Sequence, residues 1–152
     1  MADPLSISAS VVALVTAVNA ARKGLAKLLA LHKAPGELTL VLNEITEVQR
    51  IISAYRGIVD SSETCENEGR LSGVENVRKS ISDCKDAVLA LEHFVHYKLL
   101  LDIALDNRGN LKPSKRTWLL RSKELLSLQQ DLTERRKQMM EALILFQAQQ
   151  QS

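Results

Sequence analysis

Three stretches of the chain repeat apolar residues at alternating three- and four-residue intervals, the spacing of helices that each bury one stripe. The clearest runs from about Pro35 to Asp60, with Leu38, Val41, Ile45, Val48, Ile52, Tyr55 and Val59 inward and Asn43, Glu44, Glu47, Gln49 and Arg50 opposite. A later helix places Val74, Val77, Ile81, Cys84, Val88, Leu91 and Val95 on one face and is expected to continue through Leu99 to Leu105. Ser72-Gly73-Val74-Glu75 before it matches a capping box, a hydroxyl and a carboxylate three residues apart that each satisfy a backbone N–H at a helix start. The last helix begins near Ser114 and carries Trp118, Leu125, Leu132, Met139 and Phe146 at strict seven-residue spacing, with Leu128 and Leu143 between them. Sustained heptads of this kind predict bundle or coiled-coil packing. Ser61–Leu71 reads as a polar loop, and Asp106–Asn110 with Pro113 as a strong turn.

The opening of the chain follows a different pattern. Asp3 is a good N-cap and Pro4 suits the first helical position, so a first helix is expected from there to Leu31 or His32, about 28 residues or ~42 Å. Pro4 to Ala21 carries no charge. Leu5, Ile7, Val11, Val12, Leu14, Val15 and Val18 spread over nearly all its faces, and Ala9, Ala13, Ala17 and Ala21 form a ridge of small residues at four-residue intervals. A helix apolar all round is either the centre of a bundle or a membrane element, and a small-residue ridge allows close helix packing in water or lipid. Arg22, Lys23, Lys27, His32 and Lys33 follow, where cations suit the helix dipole, and Ala34-Pro35-Gly36 ends the segment.

The expected architecture is therefore all-α: a bundle of four long helices, the first central and apolar, with room for one or two short extra helices in Ser61–Leu71 or Asp106–Pro113. At 152 residues the chain fits one domain, spanning residues 1–147. Residues 148–152 read as a polar tail or the start of a linker. Aromatic residues make up only 3%, which favours packed helices over strands. Cys65 and Cys84 form no CxxC pair, and two free thiols suit a reducing compartment. Met1-Ala2-Asp3 lacks the basic start of a secretory signal. As a resident membrane span, Pro4–Ala21 is borderline: slightly short, and diluted by Ser6, Ser8, Ser10, Thr16 and Asn19.

Candidate chemistry is sparse. The six glycines are scattered and form no phosphate-binding loop. His93 and His96, three apart beside Glu92, have metal-ligand spacing but no third ligand nearby, and read as surface or interface histidines. Neither a GxSxG turn nor a Cys–His pairing signals a nucleophile. Asp83 and Asp86 fall beside Arg78, Lys79 and Lys85 and predict a solvated, salt-bridged face. No catalytic residue, metal site or cofactor is expected. The net charge of +2 is too small to argue for nucleic acid, and no aromatics interleave the basic runs at 22–33, 112–123 and 135–137. Each of those runs suits anionic lipid or acidic protein partners.

Met1-Ala2-Asp3-Pro4-Leu5-Ser6-Ile7-Ser8-Ala9-Ser10 resembles the opening of the HeLo-like N-terminal domains of fungal STAND (NLR-type) proteins. Weaker matches follow at Ala34-Pro35-Gly36 with Leu38, at Glu44, at Asp83-Cys84, at Trp118 after a basic stretch, and from Leu132 through Gln147. Two places depart from the pattern: Ala13 stands where glycine is common, and Lys137-Gln138-Met139-Met140 replaces a Ser/Leu-rich run. The resemblance implies an effector domain of fungal innate immunity and heterokaryon incompatibility. Such a domain is cytoplasmic, oligomerises when a nucleotide-binding oligomerisation module in cis or trans activates it, and moves to the membrane to cause programmed cell death by pore formation. It implies a membrane-entry role for Leu5, Ile7, Val11, Val12, Leu14, Val15 and Val18, with Arg22, Lys23, Lys27 and Lys33 at lipid headgroups or acidic partners. The competing expectation is a homotypic adaptor or scaffold whose first helix never leaves the core.

Overall fold

The computed structural model describes residues 7–31, 36–62, 68–100 and 115–151 of the chain. They form α1 (Ile7–Leu31), α2 (Gly36–Ser62), α3 (Glu68–Phe94), a π-helical turn (Val95–Leu99) that continues α3, and α4 (Lys115–Gln151). The all-α, four-helix expectation holds. The helices close a ring: α1 packs on α2 and α3, and α4 packs on the same two, which leaves α1 and α4 across one diagonal. α3 and α4 run antiparallel, since Asp83 meets Arg135 while Lys98, further along α3, meets Glu124, earlier on α4.

The periodic apolar residues become the core. Leu38, Val41, Ile45, Val48 and Ile52 of α2 meet Val77, Ile81, Cys84, Val88 and Leu91 of α3 and Leu125, Leu132, Met139, Leu143 and Phe146 of α4, all buried. Tyr55, Val74 and Leu128 pack against this core half-buried. Each fully buried Leu or Ile stabilises the fold by about 1.5–3 kcal/mol relative to exposure, so the apolar stripes of the helices account for most of the cohesion.

The structure changes several expectations. α1 is a corner of the ring, not its axis. Ile7, Val11, Leu14, Val18, Leu25 and Leu28 face inward, but a stripe through Val12, Thr16, Asn19, Lys23 and Lys27 is open to solvent, Val12 at 60% exposure. A four-membered ring has no room for a central helix. Among the described residues no helix is long and apolar enough to cross a membrane. The loop expected at 61–71 is shorter, because α2 runs through Ser62 and α3 starts at Glu68. Ser72 therefore lies inside α3 and is not its N-cap. At Gly73 a Cβ would sit 3.3 Å from the Phe146 ring and 2.5 Å from Gln149 Oε1, so α4 packs closely on this turn of α3. The polar residues 148–151 continue α4 as helix, which suits the helix propensity of Gln and Ala. Finally, Glu44 is no solvent-facing residue of α2; it pairs with Arg136 of α4, both side chains mostly buried.

The expected start of α1 at Asp3 or Pro4, Leu5, Lys33, Cys65, the continuation to Leu105, and the turn and extra short helix at 106–113 lie outside the described residues, as does the side chain of Trp118.

Candidate functional site

α1 meets its neighbours chiefly through apolar side chains. Ala17 and Ala21 of its small-residue ridge are buried, while Ala9 and Ala13 are half-buried at the edge, as is Val15. The ridge thus brings a neighbouring backbone close along only part of its length. Gly24 extends this inward side. A Cβ there would lie 2.9 Å from Val95 Cγ1 and 2.8 Å from His96 Cε1, closer than packed carbons come. Glycine lets the π-helical turn seat directly on the α1 backbone. In that turn Leu100 N–H donates to Val95 C=O, and the wider loop of backbone keeps Val95 and Leu99 buried while His96, Tyr97 and Lys98 face out.

The side-chain links of α1 to the other helices are weak. Arg22 Nη1 donates to Gln49 Oε1 of α2 at 2.6 Å. Among the described residues no ion pair joins α1 to another helix, and Lys23 and Lys27 have no ion-pair partner. The buried Ser10 hydroxyl finds no hydrogen-bond partner among them either. An unpaired buried hydroxyl costs about 1–3 kcal/mol, so α1 carries a polar penalty within its apolar grip. Asn19, Arg22, Lys23, Ala26 and Leu42 line an open cavity of about 400 Å³ at the α1–α2 seam. Arg22, Lys23 and Lys27 share the exposed side of α1, as the sequence implied for a headgroup or acidic-partner contact.

The rest of the bundle is cross-tied. Arg136 Nε donates to Glu44 Oε1 at 2.5 Å between α4 and α2. Arg135 reaches Asp83 of α3 at 3.8 Å, and Lys98 Nζ reaches Glu124 of α4 at 2.8 Å. Cys84 lies buried close to Arg136 and Glu44. Burial pushes its thiol up to about 12, with Arg136 opposing and Glu44 reinforcing the shift. A thiol held protonated is no nucleophile at neutral pH.

The histidines diverge. His93 stacks on Tyr97 with ring centroids 4.3 Å apart, and His96 Nδ1 lies 3.0 Å from the Glu92 carbonyl, on the side facing Gly24. No group of three metal-ligating side chains occurs among the described residues. Of the acidic pair, Asp86 contacts Lys85 and Asp83 turns to α4. A second open cavity, of about 500 Å³, lies between α3 and α4 over Leu89, Phe94, Tyr97 and Leu128. Apolar periodicity gave no signal for it, because Leu89 and Tyr97 lie off the buried stripe.

Comparison with protein-family models, curated proteins and solved structures finds no match for this chain.

Proposed function

We propose that this bundle is a non-enzymatic effector domain that acts by oligomerisation and membrane targeting through α1, as its likeness to HeLo-like domains suggests. One contrast carries the reading: among the described residues no ion pair joins α1 to another helix, whereas α4 is tied to α2, α3 and the π-helical turn by ion pairs. Apolar contact is non-directional and roughly proportional to the area removed from water. Ile7, Val11, Leu14 and Val18 therefore find comparable shelter in acyl chains or in other copies of α1, and no buried charge has to be stripped of its partner to release them. Since no described helix suffices as a lone span, the membrane form is an assembly of several α1 segments or an interfacial layer. Arg22, Lys23 and Lys27 would stay at the headgroups. The activator is a nucleotide-binding oligomerisation module in cis or trans, and the resting domain is cytoplasmic.

Liposome leakage tests this. The parent domain, oligomerised by fusion to a dimerising or hexamerising tag, releases dye from anionic vesicles. Val12→Asp changes an exposed side chain, so it leaves the fold intact and cuts leakage by about tenfold or more through the cost of placing a charge in lipid. Equal leakage from both proteins, or none from either when oligomerised, rejects the reading. The exposed apolar cavity at Leu89 and Tyr97 favours the adaptor as the second reading. Self-association without vesicle binding would select it.

A further inference from the structure

α3 and α4 leave a groove between them that the core does not fill. Its floor is Leu89, Ala90 and Phe94 of α3 and Leu128 of α4. Leu89 is 41% exposed, and Tyr97 at the edge 64%. Among the described residues α1 contributes nothing to the lining. The lining follows α3 from Asp86 into the π-helical turn, and Asp86 to Tyr97 covers about 16 Å of helix. That length matches a helix of about three turns, enough for apolar anchors at i, i+4 and i+7.

The two ends of the groove differ in charge. At one end Glu124 is held by Lys98 at 2.8 Å and has Arg121 at 3.7 Å. At the other stands Asp86, whose side chain is 68% exposed and reaches only Lys85, its chain neighbour, at 3.5 Å. Towards the same end Asp83 and Asp131 divide Arg135 between them. The Asp86 end is therefore the acidic one, in a chain whose net charge is +2. An anionic surface would meet Asp86 unfavourably, whereas a cation laid there gains a carboxylate. The shape selects further. A small-molecule site encloses most of its ligand, but this cavity is open and leaves one side of an occupant in water. An amphipathic helix needs that arrangement, with one face apolar and the other solvated.

We propose that the α3–α4 groove is the docking site for an amphipathic helix of a partner protein, with the helix's apolar stripe on Leu89, Phe94 and Leu128 and a lysine or arginine at Asp86. The partner helix lies between α3 and α4 as a fifth member of the bundle. Docking leaves α1 in place and the core closed, so it goes beyond membrane entry and self-association and stands or falls apart from both.

Fluorescence anisotropy with a labelled helical peptide of about 15 residues tests this. The probe carries leucine, phenylalanine and leucine at i, i+4 and i+7 and lysines in its first turn; a second probe has glutamines in place of the lysines. The full chain binds the lysine probe about threefold more tightly than the glutamine probe, the scale of an exposed ion pair. Asp86→Asn brings the two probes level. Leu89→Gln weakens both by about tenfold. Leu40→Gln, which changes an exposed leucine of α2 away from the groove, leaves both unchanged, and thermal unfolding confirms that all three variants are folded. Three results overturn the proposal: no binding of either probe, equal binding of both by the parent, or a loss with Leu40→Gln that equals the loss with Leu89→Gln. So does a parent dimer that Leu89→Gln converts to monomer while neither probe binds, which would assign the groove to a second copy of this chain.

Discussion

α1 and α4 lie across the ring from one another and are fastened in opposite ways. α1 buries Ile7, Val11, Leu14, Ala17, Val18, Ala21, Leu25 and Leu28 within 25 residues, whereas the longer α4 buries Leu125, Leu132, Met139, Leu143 and Phe146 among its described side chains. α4 supplements them with ion pairs to α2, to α3 and to the π-helical turn. The difference sets what each helix can do. Apolar burial is indifferent to the identity of its cover, so the proposed exchange of α1 to another shelter would break no ion pair found among the described residues. Ion pairs need fixed geometry, and a mostly buried one leaves a stranded charge when it breaks, so α4 is committed to its neighbours. What α4 leaves free is its outer surface, where leucines and lysines protrude.

The largest expected effect comes from cutting the apolar grip. Leu14→Ala removes a side chain with no exposure and should cost about 3 kcal/mol in urea unfolding. A loss below about 1 kcal/mol would mean that α1 contributes little to the closed core. Next comes the polar tie. Arg136→Ala strands the Glu44 carboxylate and should cost about 2 kcal/mol, while Arg136→Met combined with Glu44→Leu should cost less than the single change. Equal losses for the single and double variants would show that the pair is mere surface decoration. The smallest effects belong to two glycines. Gly24→Ala drives a Cβ into Val95 and His96 and should destabilise by about 1–2 kcal/mol. Gly57→Ala meets nothing within 4 Å on the exposed side of α2 and should stabilise by up to about 1 kcal/mol. Thermal melts that move in the same direction for both would remove Gly24 as the seat of the π-helical turn.

Much of the fold was legible in one dimension because apolar periodicity is a property of a single helix. The stripes of α2 and α3 and the heptads of α4 all turned inward as read, apart from residues whose side chains lie outside the description. The errors came where a local signal competed with a neighbour. Ser72-Gly73-Val74-Glu75 has the chemistry of a helix start, yet α3 passes through it, with α4 packed closely on Gly73. Val12 is as apolar as Val11, and only the ring geometry leaves one of them in water. Of the candidate site, the charge-free face of α1 and the cations after it were visible. The protruding leucines of α4 were not, since a leucine beside a heptad stripe looks like one more core residue.

Composition and spacing alone determined that this chain forms helices, which residues of three of them face a core, and that no phosphate-binding loop or nucleophile motif is present. Tertiary structure decided which carboxylate is paired, which valine is wet, and which glycine must carry no side chain. The physical reason is one of range. A stripe is written in residues three and four apart, whereas Glu44 with Arg136, or Gly24 with Val95, are neighbours only after four helices have chosen their partners in the ring.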